Sequence, residues 1–174
     1  MDNVLETLRE RGFVKQCTDE EGLAKALSSG CVVYYCGFDP TAESLHVGNL
    51  LTVMANAHIQ RAGHKPLTLV GGGTAMVGDP SGKTELRKML TWEQIEKNAR
   101  GVLSQLQRYL TLDGKAGIPV NNSDWLLDLK YIEFLRDIGR HFRVNEMLRS
   151  EAYRMRLERE EGLSSVSYTH LTLP

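Results

Sequence analysis

Between Tyr34 and Leu51 the chain reads Tyr-Tyr-Cys-Gly-Phe-Asp-Pro-Thr-Ala-Glu-Ser-Leu-His-Val-Gly-Asn-Leu-Leu, and this stretch limits the possible fold more than any other. The apolar, β-rich run from Cys31 to Cys36 predicts a strand. Gly37 and Pro40 predict a loop, and the spacing of Leu50, Leu51, Met54 and Ala55 predicts a helix whose first turn carries His46 and Gly48. Strand, glycine-bearing loop and helix start together make an anion site. Free backbone N–H groups and the positive end of the helix dipole attract a polyphosphate, and a glycine lets it lie against the backbone. Thr41 and His46 add donors at the same end. A lone histidine at a helix start also serves as a cap or a core residue, so the residue type alone leaves both roles open.

The rest of the chain sets the frame for that unit. Its 174 residues, 41% hydrophobic and 25% charged, suffice for one domain with a real core and exclude a disordered or fibrous chain. The formal net charge of −1, with both signs mixed along both halves, gives no global basic field for nucleic acid, so contact with RNA has to be local and DNA is not expected. Cys17, Cys31 and Cys36 show no Cys-x-x-Cys spacing and the five histidines show no paired ligand spacing, so neither a disulfide framework nor a metal site is expected. A reducing cytoplasm fits that cysteine usage. The amino terminus lacks a leader pattern and no apolar run approaches a membrane span.

Taken in order, residues 3–12 predict a short helix with Leu5 and Leu8 on one face and Gly12 as its stop. Thr18-Asp19-Glu20-Glu21 predicts a capping box opening a second helix that ends at Ser28-Ser29-Gly30, both helices lying against the sheet. Unbroken apolar character in Cys31–Cys36 suits a parallel strand covered on both faces. A helix from His46 or Gly48 through Ala62, stopped by Gly63, leads to a second strand, Leu67 to Val70, and the three elements form a right-handed βαβ unit. Thr91 to Gln94 is another capping box. It opens a long helix with an apolar stripe of Ile95, Ala99, Val102, Leu103, Leu106, Tyr109 and Leu110. Asp113-Gly114 turns the chain into a third strand, residues 117–121, and residues 130–139 and 144–161 predict two further helices.

Residues 71–84, Gly-Gly-Gly-Thr-Ala-Met-Val-Gly-Asp-Pro-Ser-Gly-Lys-Thr, supply a rival function. Gly82-Lys83-Thr84 looks like the end of a P-loop, which would make the chain an NTPase or kinase. The spacing argues against it: Val77 stands where the first glycine belongs, and Pro80 removes an N–H the phosphate cradle uses. A dinucleotide fingerprint fails as well, because Met76 occupies the place of its third glycine.

The stretch that opened the chain resembles the signature of the class I aminoacyl-tRNA synthetases. Their His-Ile-Gly-His element is matched by His46-Val47-Gly48-Asn49, with Asn49 in place of the second His but still able to donate to a ribose oxygen, and residues 35–42 are similar to tyrosyl-tRNA synthetases specifically. Asp79, Lys83 and Arg87 fall on that family's Gly-Asp-Pro-Ser-Gly-Lys segment and the basic residue after it, and residues 121–125 and 134–142 are also similar. The resemblance implies an α/β fold with a Rossmann-like, doubly wound parallel sheet, and ATP-dependent activation of tyrosine followed by transfer to tRNA(Tyr). It implies that Thr41, His46, Asn49, Lys83 and Arg87 carry the chemistry, that Tyr35, Gly37, Asp79 and Asn122 hold tyrosine, and that Cys36, Asp39, Pro40, Thr41, His46, Gly48, Asn49 and Thr52 hold ATP. Mg²⁺ would accompany ATP, and a homodimer with the 144–161 helix near its interface is implied too.

The similarity covers residues 1–164, the expected amino-terminal half of the catalytic domain. Residues 165–174 depart from the family, and Tyr168 is out of register with a pocket tyrosine. In a sheet of order 3-2-1-4-5 the first strand would then lie at an open edge. A non-catalytic synthetase-like binding protein is the alternative that the same residues allow.

Overall fold

The computed structural model describes residues 4–77 and 90–148. Three strands, β1 (Val33–Phe38), β2 (Lys65–Val70) and β3 (Ile118–Asn121), form a parallel sheet in the order β1-β2-β3. Val33 to Phe38 pair with Lys65 to Val70 in order, and Leu67 to Val70 pair with Ile118 to Asn121. Parallel neighbours require crossovers. The first is α3 (Val47–Arg61), and the second runs through α4 (Gly72–Val77) and α5 (Trp92–Leu106).

The pleat decides what each strand residue meets. Tyr34, Cys36 and Phe38 point one way, where Phe38 joins Val53 of α3 and Val102 and Leu106 of α5 in the core, with Cys36, Leu45 and Leu112 packed around them. Val33 and Tyr35 point the other way and are 56% and 69% exposed, so β1 is not covered on both faces by the described residues as its composition suggested. The strand also runs two residues later than Cys31–Cys36. The ladder begins where Val33 meets Lys65 and carries Gly37, a poor strand former, because Leu69 lies opposite it.

Helix boundaries follow local chemistry. In α1 (Val4–Glu10), Val4, Leu5 and Leu8 are buried, and Gly12 turns the chain at φ +72. α2 (Glu20–Ser29) is capped by Asp19 and not by Thr18: the Asp19 carboxylate accepts from the Gly22 N–H at 2.9 Å. A Cβ on Gly22 would stand 2.2 Å from that carboxylate, so the glycine makes the closer cap possible. α1 rests on α3, and α2 on α1, an outer layer and not a direct covering of the sheet. Thr91 and Gln94 form the expected reciprocal cap on α5, whose buried residues Ile95, Ala99, Val102 and Leu106 follow the stripe. Beyond the end of the helix at Leu106 the stripe is kept only in part: Tyr109 is 48% exposed, while Leu110, whose N–H donates to Leu106 O, is buried.

In the glycine-rich segment after β2, to which the sequence pattern assigns no element, residues Gly72–Val77 form helix α4. Its first amides are taken by side chains from the end of β3, Gly72 N–H by Asn121 Oδ1 at 3.1 Å and Gly73 N–H by Asn122 Oδ1 at 2.8 Å. Beyond β3, α6 (Ser123–Leu126) leads to α7 (Tyr131–Asp137), shorter than the 130–139 span because the chain tightens into a 3-10 turn at Gly139–His141. α8 (Val144–Met147) begins where the last helix was expected, and the remainder of that helix, with residues 165–174, lies outside the described residues. No helix among the described residues is long and apolar enough to cross a membrane.

Candidate functional site

Phe38, Val70 and Asn121 end the three strands side by side, and the loop from Asp39 to His46 leaves from that end, where open α/β sheets take their ligands. His46 is the N-cap of α3. Its Nδ1 accepts from the Gly48 N–H at 3.0 Å, and Asn49 Oδ1 accepts from the His46 N–H at 3.1 Å, closing a reciprocal capping box. With Nδ1 accepting, the neutral ring carries its proton on Nε2, a donor at the edge facing away from the helix. Asn49 keeps its Nδ2 for a second donor.

This arrangement corrects the expected use of Gly48. A Cβ there would stand 2.7 Å from His46 Cε1, so the glycine makes room for the histidine ring, and its N–H is occupied by that ring instead of being free for phosphate. The Asn49 N–H is likewise bonded to His46 O, at 2.9 Å.

The loop is held from below by α5. Asn98 Nδ2 donates to Pro40 O at 3.0 Å, Gln105 Oε1 accepts from the Leu45 N–H at 2.8 Å, and Lys97 pairs with Glu43 at 2.6 Å on the surface. Gly101 lets the helix touch the loop backbone, since a Cβ there would stand 2.3 Å from Glu43 O. Asn98 and Gln105 were not among the expected site residues. Asn98 could have been found as a polar residue inside the apolar stripe of α5, buried between Ile95 and Val102.

The loop and helix start carry Asp39, Thr41, His46 and Asn49 in one continuous segment, with Asp39 and Thr41 exposed and Pro40 buried. Tyr35 and Gly37 lie on the outer face of β1. Cys36 faces the opposite way, beside the core, where burial pushes its thiol above the ordinary value and the Asn56 side chain pulls it partly back. Thr52 is exposed on α3, with its carbonyl taken by Asn56 Nδ2 at 2.7 Å. Asn122, expected beside the amino acid, is 1% exposed and spends its amide on Gly73 and, at 3.4 Å, on the Thr74 hydroxyl. It acts on the protein, not on an open surface. Asp79, Lys83 and Arg87, like the whole Gly82-Lys83-Thr84 segment, lie outside the described residues.

A cleft of about 300 Å³ borders His46 between α3 and α5, with Leu45, Val47 and Leu50 on its apolar side and Gln105, Arg108 and Tyr109 opposite. No group of three or more His, Cys, Asp or Glu side chains able to hold a metal ion occurs among the described residues.

A family described as tRNA synthetases class I (W and Y) matches residues 28–174. The tyrosine–tRNA ligase of Desulfatibacillum aliphaticivorans is 57% identical over 171 residues, and that of Desulfosudis oleivorans 54%, each alignment covering 98% of this chain and 40% of the relative. The chain thus spans about 40% of the length of these relatives. Among solved structures, a C-terminally truncated mitochondrial tyrosyl-tRNA synthetase of Aspergillus nidulans superposes with a TM-score of 0.82 at 28% identity, over 99% of this chain and 52% of that one. A tyrosyl-tRNA synthetase of Archaeoglobus fulgidus, solved with L-tyrosine, shares the fold at a TM-score of 0.70 and 19% identity, over 98% of this chain and 50% of that one.

Proposed function

The chain belongs to the class I tRNA synthetase (W and Y) family, and from that membership we propose that it supplies the amino-terminal half of the catalytic domain of a tyrosine–tRNA ligase. One observation carries the reading: a single continuous segment holds an exposed phenol, Tyr35, on β1 and the side-chain donors Thr41, His46 and Asn49 in the loop and helix start that follow the end of that strand, the end at which open parallel sheets take their ligands. A phenol that reads a substrate hydroxyl and donors that grip a polyphosphate are what tyrosine and ATP require.

In the reaction, the carboxylate oxygen of tyrosine attacks the α-phosphorus of ATP. The new O–P bond forms as the bond to the β-phosphate bridge breaks, giving tyrosyl-adenylate and pyrophosphate. A terminal hydroxyl of tRNA(Tyr) then attacks the acyl carbon and AMP leaves. No protein nucleophile is required, so the residues position the reactants and stabilise developing charge. His46 Nε2–H and the Thr41 hydroxyl hold the γ-phosphate, while Lys83 and Arg87 neutralise the departing pyrophosphate. Cys36, Asn49 and Thr52 serve the ribose and adenosine end, with Gly48 shaping the histidine ring. Asp39 and Pro40 form the loop that carries ATP, Gly37 leaves space for the substrate beside Tyr35, and Asp79 meets the ammonium. Mg²⁺ arrives with ATP as part of that substrate.

The cytoplasm is the proposed compartment, and a homodimer the proposed assembly. Tyr131 and Ile132 on α7, 72% and 71% exposed, and Val144 at the start of α8, 55% exposed, support a partner-facing surface there.

Tyrosine-dependent ATP–pyrophosphate exchange by the full-length protein tests the reading. Tyrosine should support exchange while tryptophan and phenylalanine do not, and Tyr35→Phe should narrow the discrimination against phenylalanine by up to about tenfold, the worth of one neutral hydrogen bond. Exchange driven by tryptophan would overturn it.

A further inference from the structure

Resting on the ligase reading, we propose that Thr74 is a positioning residue, whose hydroxyl ties the Asp39 carboxylate at the end of β1 to the buried Asn122 amide at the end of β3. The Gly73 N–H can only donate, so the Asn122 oxygen must face it, at 2.8 Å. The amide nitrogen is thereby turned to Thr74 Oγ1, at 3.4 Å, and the hydroxyl oxygen accepts from it. Its one proton then goes to Asp39 Oδ1 or Gly71 O, each 3.0 Å away, and the carboxylate is the stronger acceptor.

The result is a chain of hydrogen bonds with one direction, from the α4 backbone through Asn122 and Thr74 to Asp39. Burial keeps it from being exchanged for water: Thr74 is 8% and Asn122 1% exposed, whereas Asp39 is exposed at the loop. Gly71 is part of the device, because a Cβ there would stand 2.1 Å from Asp39 Oδ1 and 2.5 Å from Thr74 Oγ1. One carboxylate oxygen is committed to Thr74, and the other accepts no side-chain hydrogen bond among the described residues, so we assign it to a ligand. A carboxylate is the wrong group for a phosphate and the right one for a hydroxyl, an ammonium or the magnesium ion that comes with ATP. Thr74 therefore fixes the rotamer of a group that touches substrate, without touching it itself.

The test is a double-mutant cycle in the full-length enzyme, read by tyrosine-dependent exchange with thermal unfolding alongside. Thr74→Val should lower kcat/KM about tenfold, and Thr74→Ser should stay within about twofold of the parent. In an Asp39→Ala background, Thr74→Val should cost less than about twofold, because its target is gone. An equal loss in both backgrounds, or a Thr74→Ser variant as poor as Thr74→Val, would overturn the proposal and leave Thr74 a packing residue. If the parent itself shows no exchange, the ligase reading fails and the crystal structure of Thr74→Val decides this one: Asp39 leaving its rotamer supports it, and Asp39 unmoved refutes it.

Discussion

His46 uses its two ring nitrogens for two tasks, and that division explains why a cap and a functional residue need not be alternatives. Nδ1 closes the helix end against Gly48, which fixes the proton on Nε2 and aims a donor outward. His46→Ala should therefore cost about 1 kcal/mol of stability through the lost cap. In the full-length enzyme it should also lower kcat for activation by about 10²–10³ through loss of a donor to developing charge, while tyrosine affinity stays within about twofold. A large loss of tyrosine affinity with unchanged kcat would assign the residue another role. Tyr34 makes the complementary case of a residue that serves only the fold. Its phenol donates to Asn56 O at 2.9 Å on the core side, and burial, with a smaller contribution from Cys36, holds its pKa above the ordinary 10.0. Because the folded value is the higher one, the unfolded chain loses this proton first, and the stabilisation present below about pH 10 is lost as pH rises beyond it. Tyr34→Phe should cost roughly 0.5–1.5 kcal/mol at neutral pH and flatten that alkaline decline in denaturant unfolding curves.

Elements whose ends are fixed by nearby residues were legible, and those fixed from a distance were not. The caps of α3 and α5 are written within four residues, as His46 with Asn49 and Thr91 with Gln94. α4 is not, because its glycines favour a loop locally and its first amides are satisfied by Asn121 and Asn122, 49 residues downstream of their partners. The same distinction divides the site: the Asp39–Asn49 unit is continuous in sequence, whereas its supports on α5 depend on how that helix crosses beneath the loop. Gly101 gives the test. Alanine in a helix interior is worth about 1 kcal/mol over glycine, yet a Cβ here meets Glu43 O at 2.3 Å. Gly101→Ala should lower the unfolding temperature and reduce exchange activity together, by pushing the loop away from α5. A raised unfolding temperature with full activity would show that the contact does not exist.

At the scale of the molecule, the sheet order places β1, the strand that carries Tyr35, at an edge of the described sheet. An edge strand leaves hydrogen-bonding groups unpaired, and the exposed Val33 and Tyr35 add apolar surface beside it. The tyrosine–tRNA ligase relatives are about two and a half times as long, this chain covering 40% of them, and under the ligase reading proposed above the wall facing this edge comes from that further length. Strand order followed from sequence, since it depends on a βαβ pattern, while the one-sided covering of β1 depended on what packs there. The most direct measurement compares residues 1–174 with the full-length protein in tyrosine-dependent ATP–pyrophosphate exchange, with oligomeric state followed by light scattering. The full-length protein should catalyse exchange, and residues 1–174 alone should aggregate and show none. A soluble monomer of residues 1–174 that catalyses exchange would contradict the half-site account.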